Sequence, residues 1–175
     1  MNVQFETLSP NDISNDMLMG FRRYTKTTHV HRLVNGRIQL LPEEFEEDWS
    51  DDRLREIASY LHDCAARGGT VIVGRDKKRV IAFANLEPKL YPHGYIHVPF
   101  IHVSLEYRKQ GIGRRLFALL EDAARQTAAI KLYISTHPSV ESQEFYQSVG
   151  CQPVVHIISE LYDKEPCDIQ LEKVL

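Results

Sequence analysis

No apolar run in this 175-residue chain approaches the length that crosses a bilayer, so no membrane partner is expected. Cysteine is scarce. Cys64, Cys151 and Cys167 are odd in number and show no Cys-x-x-Cys spacing, which argues against a disulfide scaffold and for reduced intracellular thiols. Neither sign of charge dominates: 21 Lys and Arg stand against 24 Asp and Glu, a net charge of -3, and a nucleic-acid binder would show a basic excess. The opening Met1-Asn-Val-Gln-Phe-Glu6 lacks a secretory pattern, and no repeat or low-complexity segment interrupts the chain. The expectation is a cytoplasmic protein with one domain over residues 1–175, long enough to enclose a core.

What is present concentrates in residues 101–125. An apolar alternation from Ile101 runs into Arg108-Lys-Gln-Gly-Ile-Gly113, and Ile112, Leu116, Leu119, Leu120 and Ala123 then recur at the spacing of one helix face. A strand therefore feeds a helix through a glycine turn. Gly111 and Gly113 allow positive φ and close approach of a ligand. The unpaired N–H groups at the helix start, together with the helix dipole, favour an anion there, and Arg108, Lys109, Arg114 and Arg115 add to that field. These are the properties of a pyrophosphate cradle. Glycines that merely let the turn pack closely are the plainer alternative. No Gly-Lys-Ser/Thr follows, and Leu116 stands where a dinucleotide fingerprint needs its third glycine.

Upstream, Ile96, Val98 and Phe100 alternate on one phase and Ile101, Val103 and Leu105 on the other. That change of phase predicts a β-bulge between Phe100 and Ile101, beside Pro99, which cannot donate to a ladder. A straight strand buried on both faces is the alternative.

The Arg-x-x-Gly-x-Gly turn after a strand resembles motif A of the Gcn5-related N-acetyltransferase (GNAT) family, whose fuller wording is Val-x-Pro-x-x-Arg-x-x-Gly-x-Gly. Val103, Arg108, Gly111 and Gly113 match, and Leu105 replaces the proline. The resemblance implies an α/β fold with a mixed, mostly antiparallel sheet, a bulged and splayed strand pair, and flanking helices. It also implies acetyl-coenzyme A as acyl donor, held by Ile101, His102, Val103, Arg108, Lys109, Gln110, Gly111, Ile112, Gly113 and Arg114. Glu144-Phe-Tyr146-Gln-Ser-Val-Gly150 resembles the family's Phe-Tyr-x-x-x-Gly-Phe segment, with Cys151 in place of phenylalanine. It implies that Tyr146 protonates the departing thiolate, a role open to a phenol that stays protonated at neutral pH. Ser139 occupies the position of a frequent asparagine and joins the coenzyme set, while Ile134 stands where some members carry a glutamate base.

The rest of the chain fits the same order of elements. A strand over 3–8, a helix over 12–24, a helix from about residue 50 with Leu54, Ile57, Ala58, Leu61 and Ala65 inward, and strands at 70–73 and 79–84 are expected. A helix over 139–149 and a closing hairpin of 154–161 with 167–174 follow. Residues 26–49 depart from that order. Asn35-Gly36 between two alternating runs predicts an inserted hairpin, followed by an acidic loop containing Glu43, Glu44, Glu46, Glu47 and Asp48. That loop is either an anionic lip for a cationic amine or solvated chain leading into a helix cap at Ser50, Asp51 and Asp52.

Main-chain N–H groups of Ile101, His102 and Val103 are the candidate oxyanion donors, and Glu87, His102 and His137 are the candidate bases. His29-x-His31 lacks further ligands at metal spacing, so no metal is expected. The reading is an acetyl transfer to a small-molecule or peptide amine by direct attack. A non-catalytic acyl-coenzyme A sensor, transfer of a larger acyl group and a homodimer stay open.

Overall fold

Thr70–Asp76 and Arg79–Leu86 carry apolar residues on both faces and pair antiparallel across a turn in which Lys77 takes a φ of 55°. The computed structural model describes residues 3–175. In chain order its elements are β1 (Gln4–Thr7), β2 (Tyr24–Val34), β3 (Arg37–Asp48), α1 (Asp51–Ala66), β4 (Thr70–Asp76), β5 (Arg79–Leu86), β6 (Leu90–Tyr91), β7 (Tyr95–His97), β8 (Ile101–Val103), α2 (Ile112–Arg125), β9 (Lys131–Thr136), α3 (Val140–Ser148), β10 (Gln152–Pro153), α4 (Ser159–Tyr162) and β11 (Ile169–Val174). Short 3-10 turns occupy Pro10–Asp12, Pro92–Gly94 and Leu105–Tyr107. Strands β1-β4-β5-β8 form one sheet, β10-β11-β9-β7-β6 a second, and β2-β3 a separate ribbon.

The first two sheets meet where the chain passes from β7 to β8. Glu87 donates its N–H to the His97 carbonyl (3.0 Å) and Asn85 to the Phe100 carbonyl (3.1 Å), so two residues on one side oppose three on the other. This is the bulge. It lies at Val98–Phe100 rather than between Phe100 and Ile101, because Phe100 packs with Phe83 while Ile96, Val98, Ile101 and Val103 face the α2 side. Pro99 sits in the extra stretch, where no ladder donor is needed. Before it, β7 runs parallel to β9; after it, β8 runs antiparallel to β5, and the gap between β8 and β9 becomes a cleft.

Two apolar layers cover the first sheet. α2 lays Ile112, Leu116, Phe117, Leu120 and Ala124 on one face. On the other, α1 lays down Leu54, Ile57, Ala58 and Leu61. Ser50 caps α1 by accepting from the Arg53 N–H. The helix expected over 12–24 does not form. Met17, Met19 and Phe21 each donate to a carbonyl three residues back, Ile13 is extended and Gly20 takes φ 79°. Ser14, Asn15 and Asp16 favour turns over a helix interior, and Leu18 and Phe21 are buried without one.

The expected hairpin around Asn35-Gly36 is present, with both residues at positive φ as a type I′ turn requires. Its strands run much further than the sequence suggests. The acidic segment is no loop: Glu43 to Asp48 continue β3, with Phe45, Glu47 and Trp49 turned inward. Leu33, Ile38 and Leu40 are exposed on the outer face of the ribbon. Its inner side docks on the segment before α3, where Val30 bridges to Ser139 and the His31 N–H donates to the Pro138 carbonyl (2.7 Å).

The strand expected over 154–161 does not form, although β11 takes the place expected of its partner over 167–174. On the side of β11 away from β9, Gln152 and Pro153 pair with it, and the chain after Val154 leaves the sheet for the helical turn α4. Val154, Ile158 and Leu161 cover the layer of Tyr91, Tyr95 and Tyr133, apolar surface that a flat hairpin would leave open. No helix among the described residues is long and apolar enough to cross a membrane.

Candidate active site

A cleft of about 680 Å³ opens where β8 and β9 part. One end is walled by Ile101, Val103, Arg108, Lys109, Gly111, Gly113 and Arg114. Lys109 (φ 59°) and Gly111 (φ 79°) both take left-handed backbone, which turns consecutive N–H groups toward one side. Among the described residues, the N–H groups of Lys109 through Arg114 have no main-chain acceptor, and the next, Arg115, closes the first helical bond to Gly111 (3.1 Å). A Cβ at Gly111 would meet nothing within 4 Å, so the turn is open to a ligand. This end fits a diphosphate.

Antiparallel pairing decides which strand groups face the cleft. Asn85 bonds Phe100 and Ser104 bonds Ile81, so the intervening His102 pairs with Phe83 in the ladder. Ile101 and Val103 alternate with it and turn their N–H and C=O groups away from β5, toward the gap. Arg108 confirms the direction, donating from Nε to the Val103 carbonyl at 3.1 Å. Of the three expected oxyanion donors, the His102 N–H is thus directed into the sheet.

Several expected coenzyme side chains lie off the cleft. Gln110 Nε2 donates to the Glu106 carbonyl, and Ile112 is buried in the α2 core. Ser139 is the N-cap of α3, accepting from the Ser142 N–H. Each is consumed by local structure. The N–H groups of Gln110 and Ile112 remain in the open row.

Tyr146 reaches the middle of the cleft from α3. It is 7% exposed and packs against Phe117 and Phe145. Burial, with the Cys151 thiol beside it, pushes the phenol above its usual range, opposed by a hydrogen bond from Thr136. It stays protonated at any ordinary pH. Cys151 is pushed up to about 12, chiefly by burial, so it is a poor nucleophile.

The far end is differently charged. Glu47, Glu165 and Asp168 line it, with Arg23, Thr25, Trp49 and His137. Arg23 is buried, hydrogen-bonds Thr25, approaches Glu47 at 3.7 Å and lies over the Trp49 ring. Of the acidic stretch in β3, Glu47 alone lines the cleft; its alternation with Phe45 and Trp49 was a signal the sequence carried. Asp168, pushed up to about 7 by burial and by the carboxyl of Glu165, had no such signal.

The expected bases fare unevenly. Glu87 lies outside the cleft, held by Tyr60 and by Arg67 at 3.2 Å. His102 lines the cleft, but burial and then the charges of Arg23 and Arg108 drive its pKa well down, in a cage of Trp49, Phe83 and Phe100. His137 accepts the Ser139 N–H at Nδ1 (3.2 Å), leaving Nε2 to face Glu47 at 3.3 Å, and burial lowers its pKa.

A splayed strand pair with outward-turned amides, an open diphosphate turn and a buried phenol between them define an acyl-coenzyme A-dependent acyltransferase. The model of the acetyltransferase (GNAT) family matches residues 35–151, and the chain belongs to that family as an acetyl-coenzyme A-dependent N-acetyltransferase. Its fold is shared with the crystal structure of nourseothricin acetyltransferase, at 17% identity over 98% of each chain and a TM-score of 0.72. A Bacillus anthracis str. Ames protein assigned as a streptothricin acetyltransferase, solved with acetyl-coenzyme A, is 18% identical over 99% of this chain and 100% of that one, with a TM-score of 0.71. PaiA N-acetyltransferase from Thermoplasma acidophilum, solved with coenzyme A, covers 100% of both chains at 12% identity and a TM-score of 0.61. Likeness at these identities carries the fold. No curated protein matches by sequence.

Proposed function

We propose that the chain acetylates a primary amine on a cationic small molecule. The observation that carries this reading is the pairing, in one cleft, of an anion-binding glycine turn with a far end lined by Glu47, Glu165 and Asp168. The first suits the coenzyme diphosphate; the second attracts an ammonium group by its field. The fold likeness to nourseothricin and streptothricin acetyltransferases supports a polycationic acceptor of that kind. The net charge of -3 supports no role for nucleic acid, and the three free cysteines suit the reducing cytoplasm. One domain spanning the chain is part of this reading.

The donor supplies an activated acetyl thioester. The open N–H row of residues 109–114 would hold its diphosphate, and Arg108 and Arg114 would add charge. The N–H groups of Ile101 and Val103 would stabilise negative charge developing on the thioester oxygen, each donor being worth about 3 kcal/mol. Tyr146 would give its proton to the sulfur as it departs.

A screen of nourseothricin, spermidine and kanamycin with acetyl-coenzyme A, read by thiol release, tests the proposal. Transfer to at least one polycation is expected, with KM rising as salt screens the acidic end. Coenzyme binding without transfer to any amine would leave a sensor in place of an enzyme. Arg108→Met is expected to weaken acetyl-coenzyme A about tenfold in a melting-shift titration, since it removes a half-buried charge and frees the Val103 carbonyl. Unchanged affinity would remove Arg108 from the donor site.

A further inference from the structure

We propose that Asp168 is the general base that takes a proton from the acceptor ammonium group before it attacks the thioester. This rests on the acetyl-transfer reading above and assigns its missing proton acceptor.

The placement of Asp168 is set by two local devices. Its N–H donates to the Glu165 carbonyl (3.0 Å), closing a tight turn over Pro166, and its own carbonyl accepts from Gln170 Nε2 (3.3 Å). The next residue, Ile169, pairs with Thr136 of β9, and Thr136 is hydrogen-bonded to Tyr146. Asp168 and Tyr146 therefore flank one rung and line the same cleft, and the Asp168 charge reaches the Tyr146 phenol. A base and an acid on two sides of one reacting centre are what an acyl transfer to an ammonium substrate requires.

The groups facing Asp168 explain why it can hold a proton near neutrality. The Glu165 carboxyl shares a hydrogen bond with it, and Glu47 faces it from β3. Arg32 from β2 opposes them, but its guanidinium is engaged by Glu43 at 2.9 Å and by the Cys167 carbonyl at 3.0 Å. Tyr146 faces it from α3, uncharged, with Arg23 beyond. Burial and like charge win, and the carboxyl is pushed up to about 7. The two histidines of the cleft are engaged: His137 by Ser139 and Glu47, His102 by its aromatic cage.

The proton count closes. The ammonium group loses one proton to the Asp168 carboxylate, and its nitrogen forms the C–N bond. As the C–S bond breaks, Tyr146 protonates the sulfur, and the second proton shed by the nitrogen restores the phenol. Asp168 releases its proton to solvent, so one proton is liberated per amide formed.

The test is the pH dependence of kcat/KM for Asp168→Asn against the unaltered protein, using spermidine or whichever amine of the screen turns over fastest. The unaltered protein should show an ascending limb near pH 7, distinct from the amine's own limb near 10. Asp168→Asn should lose that limb and fall on the order of a hundredfold at pH 7, recovering above pH 9 where the amine is neutral, with an undiminished melting shift on adding acetyl-coenzyme A. A raised carboxylate pKa stabilises the fold fully below the unfolded value near 4 and loses that stability as pH rises through 7. Asp168→Asn should accordingly melt higher than the unaltered protein above pH 7. Should that variant fail to fold, Glu165→Gln, which removes a like charge, should move the limb to lower pH. A limb retained in Asp168→Asn, or unmoved in Glu165→Gln, would overturn the assignment while leaving acetyl transfer intact. A rise in KM alone would do the same, reducing Asp168 to an attractive charge. No transfer by the unaltered protein would overturn the acceptor reading and this inference together.

Discussion

Tyr146→Phe should lower turnover by two to three orders of magnitude, about 3–4 kcal/mol of barrier, while acetyl-coenzyme A binds as before. The ring is held by Phe117 and Phe145, and phenylalanine fills the same space. What disappears is the hydroxyl, with its hydrogen bond to Thr136, at a cost to stability of about 1 kcal/mol. The effect thus separates cleanly by readout: kcat falls, the coenzyme melting shift persists, and the melting temperature moves little. The Cys151 thiol, pushed up to about 12 by burial, lies outside the cleft lining and does not replace the phenol. Turnover unchanged across the pH range would remove the proton-donor role.

Gly69→Ala should be the most damaging small substitution for the fold. A Cβ there would stand 2.4 Å from Cys64 Sγ, 2.7 Å from the Leu86 carbonyl oxygen and 2.9 Å from the Cys64 carbonyl oxygen. Two of these are backbone atoms and cannot swing aside. The Gly69 N–H also donates to that Cys64 carbonyl, so the junction of α1 and β4 must shift as a unit. A loss of about 2–4 kcal/mol is expected, a fall of about 5–15 °C in melting temperature for a chain of this size. Gly111→Ala is the contrast. Its Cβ meets nothing, so the cost is the left-handed φ of 79°, on the order of 1 kcal/mol. A Gly69→Ala protein melting within two or three degrees of the original, measured by calorimetry, would show that the junction yields.

Much of the donor half was legible in the sequence. The phase change around Pro99 announced a bulge, because one extra residue reverses every side chain after it. The bulge lies about two residues before the point where the alternation places it, since Phe100 is apolar and only its packing against Phe83 assigns its face. The helix expected at 12–24 failed for a related reason. Leu18 and Phe21 are buried as a helix would bury them, but turn-forming Ser14, Asn15 and Asp16 found local bonds instead. Composition alone predicts a loop for the acidic stretch, because glutamate is a poor strand former. Pairing with β2 overrode that weak preference, and alternation then selected Glu47 for the cleft.

What the amino-acid order determined alone was the set of features governed by short-range sterics and period. These are the left-handed turns at Asn35-Gly36 and Gly111, the amphipathic α2 and the break at Pro99. Folding in three dimensions decided which charges meet. Glu47 from the ribbon and Asp168 from the turn before β11 converge on Tyr146, and burial among like charges brings Asp168 near neutrality. Proximity between distant segments and loss of water are properties of the packed chain, so no local pattern could have announced them.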